Sequence, residues 1–130
     1  MRHADTLAQR SFWFLRHGET DWNAKGLAQG DVDTPLNPAG IAQAQAAALL
    51  MRHRGVVSII ASPLSRAHDT ALAVAAVLNL PVETDEGLRE VGFGVREGHP
   101  MAEWFNEWVA GSYTPEGAES FPALRARAVL

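Results

Sequence analysis

The sequence predicts an α/β fold with a mostly parallel sheet, because short apolar strands alternate with helices along the chain. Residues 11–16 (SFWFLR) are aromatic-rich, and residues 56–61 (VVSIIA) are β-branched without polar alternation, as buried parallel strands are. Asn37-Pro38 and Ser62-Pro63 each place a capping side chain before a proline, which signals the start of a helix. The order strand, helix, strand, helix is typical of layered α/β domains.

The remaining elements follow from spacing and from turn residues. Apolar residues recur at helical spacing from Pro38 to about residue 53, and Gly55 follows as a stop. A second helix is expected over residues 64–78. We further expect a short strand within 80–84 (LPVET), a short aromatic helix over 101–110 and a last helix from Ser120.

Size and composition exclude several classes of protein. A chain of 130 residues suggests one domain, here residues 11–130, preceded by a flexible polar extension at residues 1–10. The net charge of -4 argues against a nucleic-acid partner, and the absence of cysteine excludes disulfides and thiolate metal sites. No apolar run is long enough to cross a membrane, so we expect a cytoplasmic protein.

Cationic side chains follow both predicted strands. Arg16, His17 and Gly18 end the first strand, and Arg66 lies one turn into the helix after the second. Ligands of open α/β sheets bind beyond the carboxyl ends of the strands, and a helix N-terminus favours an anion there. Two guanidinium groups suit the oxygens of a phosphate, and their charge favours a neutral, nucleophilic His17.

Two other interpretations stay open at this point. Arg16 could simply pair with the nearby carboxylate of Glu19. Asp31 and Asp33 in GDVDTP suggest a metal-dependent phosphatase, although this pair follows a loop rather than an apolar strand. No Gly-rich loop ends in Gly-Lys-Ser/Thr, which excludes a P-loop enzyme.

Four ordered segments carry a resemblance to a known family. LRHGETDWN, LAQGDVDTPLNPAG, ASPLSRAHDTA and LREVGFGVREG resemble the motifs of the histidine phosphatase superfamily, also called phosphoglycerate mutase-like. The resemblance covers the chain from Phe14 to about Ser120. It implies a layered α/β/α domain with a mostly parallel central sheet.

The resemblance also implies a mechanism and a set of site residues. His17 would become phosphohistidine, Arg16 and Arg66 would bind the phosphoryl oxygens, and Glu90 would act as the acid and base. The matching substrate-binding positions are Asn23, Gln29 and Gly30, and neither a metal nor a cofactor is implied. Arg89 matches no catalytic position, so we expect a surface salt bridge there. Trp104, Phe105 and Trp108 either line the pocket or, as is commoner for an aromatic helix face, belong to the core.

The resemblance implies a small phosphorylated metabolite as the substrate. We expect a phosphomonoesterase, because only a short segment separates REGHP from PEGAES and Phe93 stands where mutases have Tyr. A phosphoglycerate mutase is the alternative. The family's late second catalytic His-Gly has no match among His3, His53, His68 and His99, so we expect a fold lacking its last third. A non-catalytic phosphate-binding remnant without this second His is the other alternative. The missing strands would also leave a sheet edge exposed, which favours association with another copy of the chain.

Overall fold

The computed structural model describes residues 11–129, which contain five α-helices and a two-stranded parallel sheet. The predicted extension at residues 1–10 lies outside the described residues. The elements in chain order are α1 (Asp21–Lys25), α2 (Pro38–Leu50), β1 (Ile59–Ala61), α3 (Ser65–Leu78), β2 (Val82–Thr84), α4 (Glu103–Ala110) and α5 (Phe121–Val129). Single 3₁₀ turns lie at Glu86–Leu88 and Gly94–Arg96.

The sheet pairs β1 with β2 in parallel, and α3 packs against both strands. Ile59 lies opposite Val82, and Ala61 lies opposite Thr84. This crossover confirms the α/β class and the short strand predicted within 80–84. The strand predicted over 56–61 begins only at Ile59. The prediction that this segment is buried on both faces was wrong, because Val57 is exposed.

The first predicted strand, residues 11–16, has no regular secondary structure in the described part of the chain. Its apolar side chains are exposed, with Phe12 at 80% and Phe14 at 85%. An extended segment becomes a strand only when a neighbour pairs with its backbone N–H and C=O groups. The part of the chain described here places no such neighbour beside these residues, so apolar composition alone did not decide the structure.

The helix starts follow the predicted capping signals, with one displacement. Asn37 caps α2 by accepting a hydrogen bond from the Gly40 N–H at 2.8 Å. The hydroxyl of Ser62 instead accepts from the Leu64 N–H at 3.2 Å, and α3 begins at Ser65. Helix α2 ends at Leu50, three residues before the predicted end, and His53 takes the left-handed conformation beyond it.

Helix α1 lies in a segment that we predicted as a loop. The hydroxyl of Thr20 accepts a hydrogen bond from the Asn23 N–H, and the Asn23 side chain accepts one from the Thr20 N–H, which closes a capping box. Gly26 ends the helix in the left-handed conformation. The capping signal was present in the sequence, with Asn in place of the usual Glu or Gln.

A cluster of apolar side chains forms around Phe93. Its ring makes edge-to-face contacts with Trp104 at 5.3 Å and Trp108 at 5.1 Å between centroids. Phe105 and Phe121 pack against the same cluster, which joins α4 and α5 to the loop after β2. The aromatic face of α4 therefore belongs to the core, as the commoner interpretation predicted. No helix within the described residues is long and apolar enough to cross a membrane.

Candidate active site

The loop that carries His17 is anchored to α3 by a buried hydrogen bond. The Gly18 N–H donates to the hydroxyl of Thr70 at 3.0 Å, and that hydroxyl donates to the Arg66 carbonyl at 2.7 Å. Thr70 is 4% exposed, so water does not replace these bonds. One side chain therefore links the His17 loop to the helical turn that carries Arg66.

The same loop lies directly against the first turn of α2. A Cβ atom on Gly18 would overlap the carbonyl oxygen of Gly40, and a Cβ on Gly40 would overlap that of Glu19. Two glycines thus let two backbones touch. The absence of a side chain at Gly18 thus lets this loop pack against a helix backbone.

Hydrogen bonding and burial set the chemical state of His17. Its Nδ1 lies 2.7 Å from the Gly18 carbonyl oxygen. A carbonyl only accepts, so Nδ1 carries the proton and the neutral ring keeps its lone pair on Nε2. Burial lowers the pKa of His17, whereas the hydrogen bond to the Gly18 carbonyl raises it. The positive charges of Arg66 and Arg16 lower the pKa further, and the Glu90 carboxylate raises it.

Two adjoining cavities lie beside the imidazole. One has a volume of about 150 Å³ and the other about 220 Å³. Arg16, His17 and Gln43 line both. Asn23 and Glu19 line the larger one, and Thr70 lines the smaller. The exposed guanidinium of Arg16 and the imidazole of His17 therefore share a polar recess.

Arg66 is buried behind this recess, with 2% of its surface exposed. Its Nη1 donates to the Val32 carbonyl at 2.7 Å, and Nη2 donates to the Gly30 carbonyl at 2.7 Å. Burial lowers the pKa of Arg66, and the carboxylates of Glu90 and Asp33 act in the opposite direction. The described lining of the two cavities does not include Arg66, so its charge reaches His17 through space.

The segment after α1 is held by hydroxyl and amide groups. The Gln29 carbonyl oxygen accepts from the Thr34 hydroxyl at 2.5 Å and from the Thr20 hydroxyl. Gln29 and Gly30 are buried, and Gly30 has a φ of 55° with the Glu97 carboxylate packed where a Cβ would lie. Gly30 holds the Arg66 guanidinium directly through its carbonyl, and Gln29 does so through the Thr34 hydroxyl that both side chains contact.

Asp31 and Asp33 both stabilise the fold through contacts with other parts of the chain. Asp33 accepts from the Ser65 N–H at 2.6 Å and the Ser65 hydroxyl at 3.0 Å, and these bonds lower the pKa of Asp33 while they cap α3. Asp31 accepts from Arg89 Nε at 2.9 Å, which is the surface salt bridge expected of Arg89. No group of three or more His, Asp or Glu side chains within residues 11–129 is arranged to hold a metal ion.

Glu90 is exposed at the end of the turn after β2. Its Oε1 accepts from the adjacent Val91 N–H at 2.9 Å. The carboxylate is near enough to His17 and Arg66 to raise the pKa of both. His17 is therefore within electrostatic range of Arg16, Arg66 and Glu90, although Arg66 and Glu90 are not among the described lining residues of the two cavities.

A sequence model of the histidine phosphatase superfamily (branch 1) matches residues 12–130. The chain belongs to this superfamily. The probable phosphoglycerate mutase GpmB of Yersinia pestis (strain Pestoides F) is 38% identical over 125 residues, a match that covers 88% of this chain and 58% of the relative. The chain thus spans less than two thirds of the length of this curated relative.

Solved structures of similar proteins carry the same fold. The mycobacterial glucosyl-3-phosphoglycerate phosphatase complexed with VO3 has a TM-score of 0.76 at 34% identity, over 86% of this chain and 60% of that one. The phosphoserine phosphatase of Entamoeba histolytica with 3-phosphoglyceric acid has a TM-score of 0.65 at 37% identity, over 73% and 49%. The phosphoglycerate mutase-like α/β fold is therefore shown for the described residues.

Sequence reasoning missed two residues of this histidine phosphatase site. Thr70 anchors Gly18, and Gln43 accepts a hydrogen bond from the Glu19 N–H at 2.9 Å while it lines both cavities. Thr70 had a readable signal, because it lies one helical turn after Arg66 on the same face. Gln43 had none, since nothing in the sequence of α2 sets it apart.

Proposed function

We propose that this chain carries the phosphoryl-accepting site of a phosphomonoesterase, in which His17 becomes phosphohistidine. The Nε2 lone pair attacks phosphorus, the bond to the ester oxygen breaks, and that oxygen takes a proton. Water then attacks phosphohistidine and releases inorganic phosphate. The observation that carries this proposal is the 2.7 Å contact between His17 Nδ1 and the Gly18 carbonyl, which reserves Nε2 for attack.

The two arginines stabilise the phosphoryl group in different ways in this proposal. Arg16 contacts the group directly from the wall of the shared cavities. Arg66 stabilises the developing negative charge electrostatically from its buried position, where Val32, Thr34 and Gly30 accept its described hydrogen bonds. Asn23 donates its amide to the phosphate, because its Oδ1 is already bonded to the Thr20 N–H. Gln29 and Gly30 act by holding Arg66 in place.

Glu90 supplies the proton that the leaving oxygen needs and later takes one from the attacking water. A carboxyl group in that role contributes roughly 10²-fold or more to the rate. Its support is the match of Glu90 to the acid and base position of the family, together with the electrostatic effect by which its carboxylate raises the pKa of His17.

Phosphate release from a panel of small monoesters tests this function. The panel includes 3-phosphoglycerate and phosphoserine, since similar proteins bear names with these groups. We expect release that a chelator does not reduce, that His17→Ala abolishes and that His99→Ala, a change on an exposed loop, leaves intact. Release by the His17→Ala variant at the original rate would contradict the proposal.

A phosphoglycerate mutase is the second candidate, and the similarity to the probable mutase GpmB favours it. A mutase returns the phosphoryl group to another hydroxyl instead of water. Interconversion of 2- and 3-phosphoglycerate without net phosphate release would establish it. Binding of inorganic phosphate without either reaction would indicate a non-catalytic phosphate-binding remnant.

We also propose that copies of this chain associate through the exposed apolar segment at residues 11–16 and the edge of the sheet. Phe12, Phe14 and Val57 are largely exposed there. We propose a small phosphorylated molecule as the partner; the acidic net charge argues against nucleic acid and does not oppose one small anionic ligand held by local cations. We also propose a cytoplasmic location, which cell fractionation tests.

A further inference from the structure

An ion pair outside the recess holds the backbone on both sides of Glu90. Arg127 on α5 donates from Nε to Glu119 Oε2 and from Nη2 to Glu119 Oε1, each at 2.8 Å. This is the two-pronged arrangement in which a guanidinium fixes a carboxylate most firmly. The hydrogen bonds to Arg127 lower the pKa of Glu119, so the pair stays charged.

The third nitrogen of the same guanidinium reaches the turn before Glu90. Nη1 donates to the carbonyls of Gly87 and Arg89, both at 2.9 Å. The Glu119 N–H donates to the Gly92 carbonyl at 2.7 Å, beyond Glu90. The backbone is therefore held at two points before Glu90 and at one point after it.

This clamp is itself fixed to the aromatic core. The indole N–H of Trp108 donates to the Glu119 carbonyl at 2.8 Å, and Trp108 is buried against Phe93. By contrast, the hydrogen bond described for the Glu90 side chain is with its own neighbour, Val91. The place of the Glu90 carboxyl therefore depends on how firmly its backbone is held.

We infer that Arg127 and Glu119 are a positioning pair that sets the Glu90 carboxyl for proton transfer to the leaving oxygen, an inference that rests on the proposed function. The side chains of Arg127 and Glu119 bond to each other and to backbone carbonyls of the Glu90 turn, so we assign them a role through Glu90 and no contact with the substrate. A looser clamp should therefore impair the step that needs the Glu90 proton and spare a step that does not.

Two esters separate these steps in the full chain. An alkyl ester such as 3-phosphoglycerate needs a proton on its leaving oxygen, whereas 2,4-dinitrophenyl phosphate loses a stable anion without one. In Arg127→Lys the charge remains, but an ammonium cannot form the fork. We expect kcat/KM to fall roughly 10²-fold for the alkyl ester and less than about 3-fold for the dinitrophenyl ester.

Two comparisons make the result specific. Arg125→Lys, an exposed change on the same helix, should leave both rates unchanged. Glu90→Gln should show the same selective loss, and the double variant should lose no more on the alkyl ester than Glu90→Gln alone. Glu119→Gln keeps the side-chain shape and one acceptor, so it replaces Arg127→Lys should that variant unfold.

Equal losses on both esters in a folded variant, or no loss on either, would overturn the positioning role while the proposed function stood. An additive loss in the double variant would do the same. An unaltered chain that transfers phosphoryl groups from neither ester would overturn the proposed function itself, and the positioning role with it.

Discussion

Thr70 accepts a hydrogen bond from the Gly18 N–H at 3.0 Å across 52 residues of sequence. The bond is buried, and the same hydroxyl donates to the Arg66 carbonyl, so it sets the distance between the two elements proposed to bind phosphate. Thr70→Val keeps the shape and leaves the Gly18 N–H without its partner. We expect a loss of about 1–3 kcal/mol in the free energy of unfolding, measured in urea.

Thr70→Val also tests whether the Thr70 hydroxyl positions His17. Thr70→Ser keeps the hydroxyl and should retain the rate of phosphoryl transfer to His17, whereas Thr70→Val should lower it. Equal rates in the two variants would show that this bond does not set the place of His17.

Gly40→Ala tests the contact between the His17 loop and α2. Alanine normally favours a helix by about 1 kcal/mol over glycine, but here its Cβ would overlap the Glu19 carbonyl. We expect destabilisation by about 1–3 kcal/mol, as for an overfilled core. The matched control is Gly92→Ala, whose Cβ would lie 3.9 Å from the Asp31 Cβ. A Gly40→Ala variant more stable than the parent would contradict the close approach.

The charge state of His17 gives a pH-dependent prediction. Burial and the two arginines lower the pKa of His17 below its ordinary value of 6.5, so the neutral, nucleophilic form persists below that pH. Arg16→Gln removes one positive charge and should raise the pKa of His17. NMR titration of the His17 ring measures both values, and a pKa above 6.5 in the unaltered chain would show that the imidazole is not buried beside these cations.

Association of copies depends on the exposed aromatic side chains of residues 11–16. Sedimentation velocity at high micromolar concentration should show dimers or larger species. Phe12→Ser combined with Phe14→Ser should shift the distribution toward monomer, whereas the control Val109→Ser on α4 should not. A monomeric parent chain across this range would remove the proposed interface.

The local signals in the sequence predicted the helices well and the strands poorly. Asn37 before Pro38 fixes the start of α2 through contacts within four residues, so sequence alone was sufficient. Residues 11–16 depend on a backbone neighbour elsewhere in the chain, and their apolar composition does not reveal whether one is present.

The site shows the same division between local and distant contacts. The motifs placed Arg16 and His17 together, and both line the recess. The groups that hold the site come from far along the chain: Thr70 reaches Gly18, and Arg127 reaches the Glu90 turn across 38 residues. Helical spacing places Thr70 beside Arg66, but no local pattern reports that its partner is Gly18 or that Arg127 reaches the Glu90 turn, because only the fold brings these residues together.

Phosphorylation of His17 tests the central claim most directly. The chain is exposed to 2,4-dinitrophenyl phosphate, quenched in base and mapped by mass spectrometry, since phosphohistidine is labile in acid and stable in base. We predict a label on His17 in the parent chain and in His99→Ala, and none in His17→Ala. A label that persists in His17→Ala, or one that survives acid, would contradict the account.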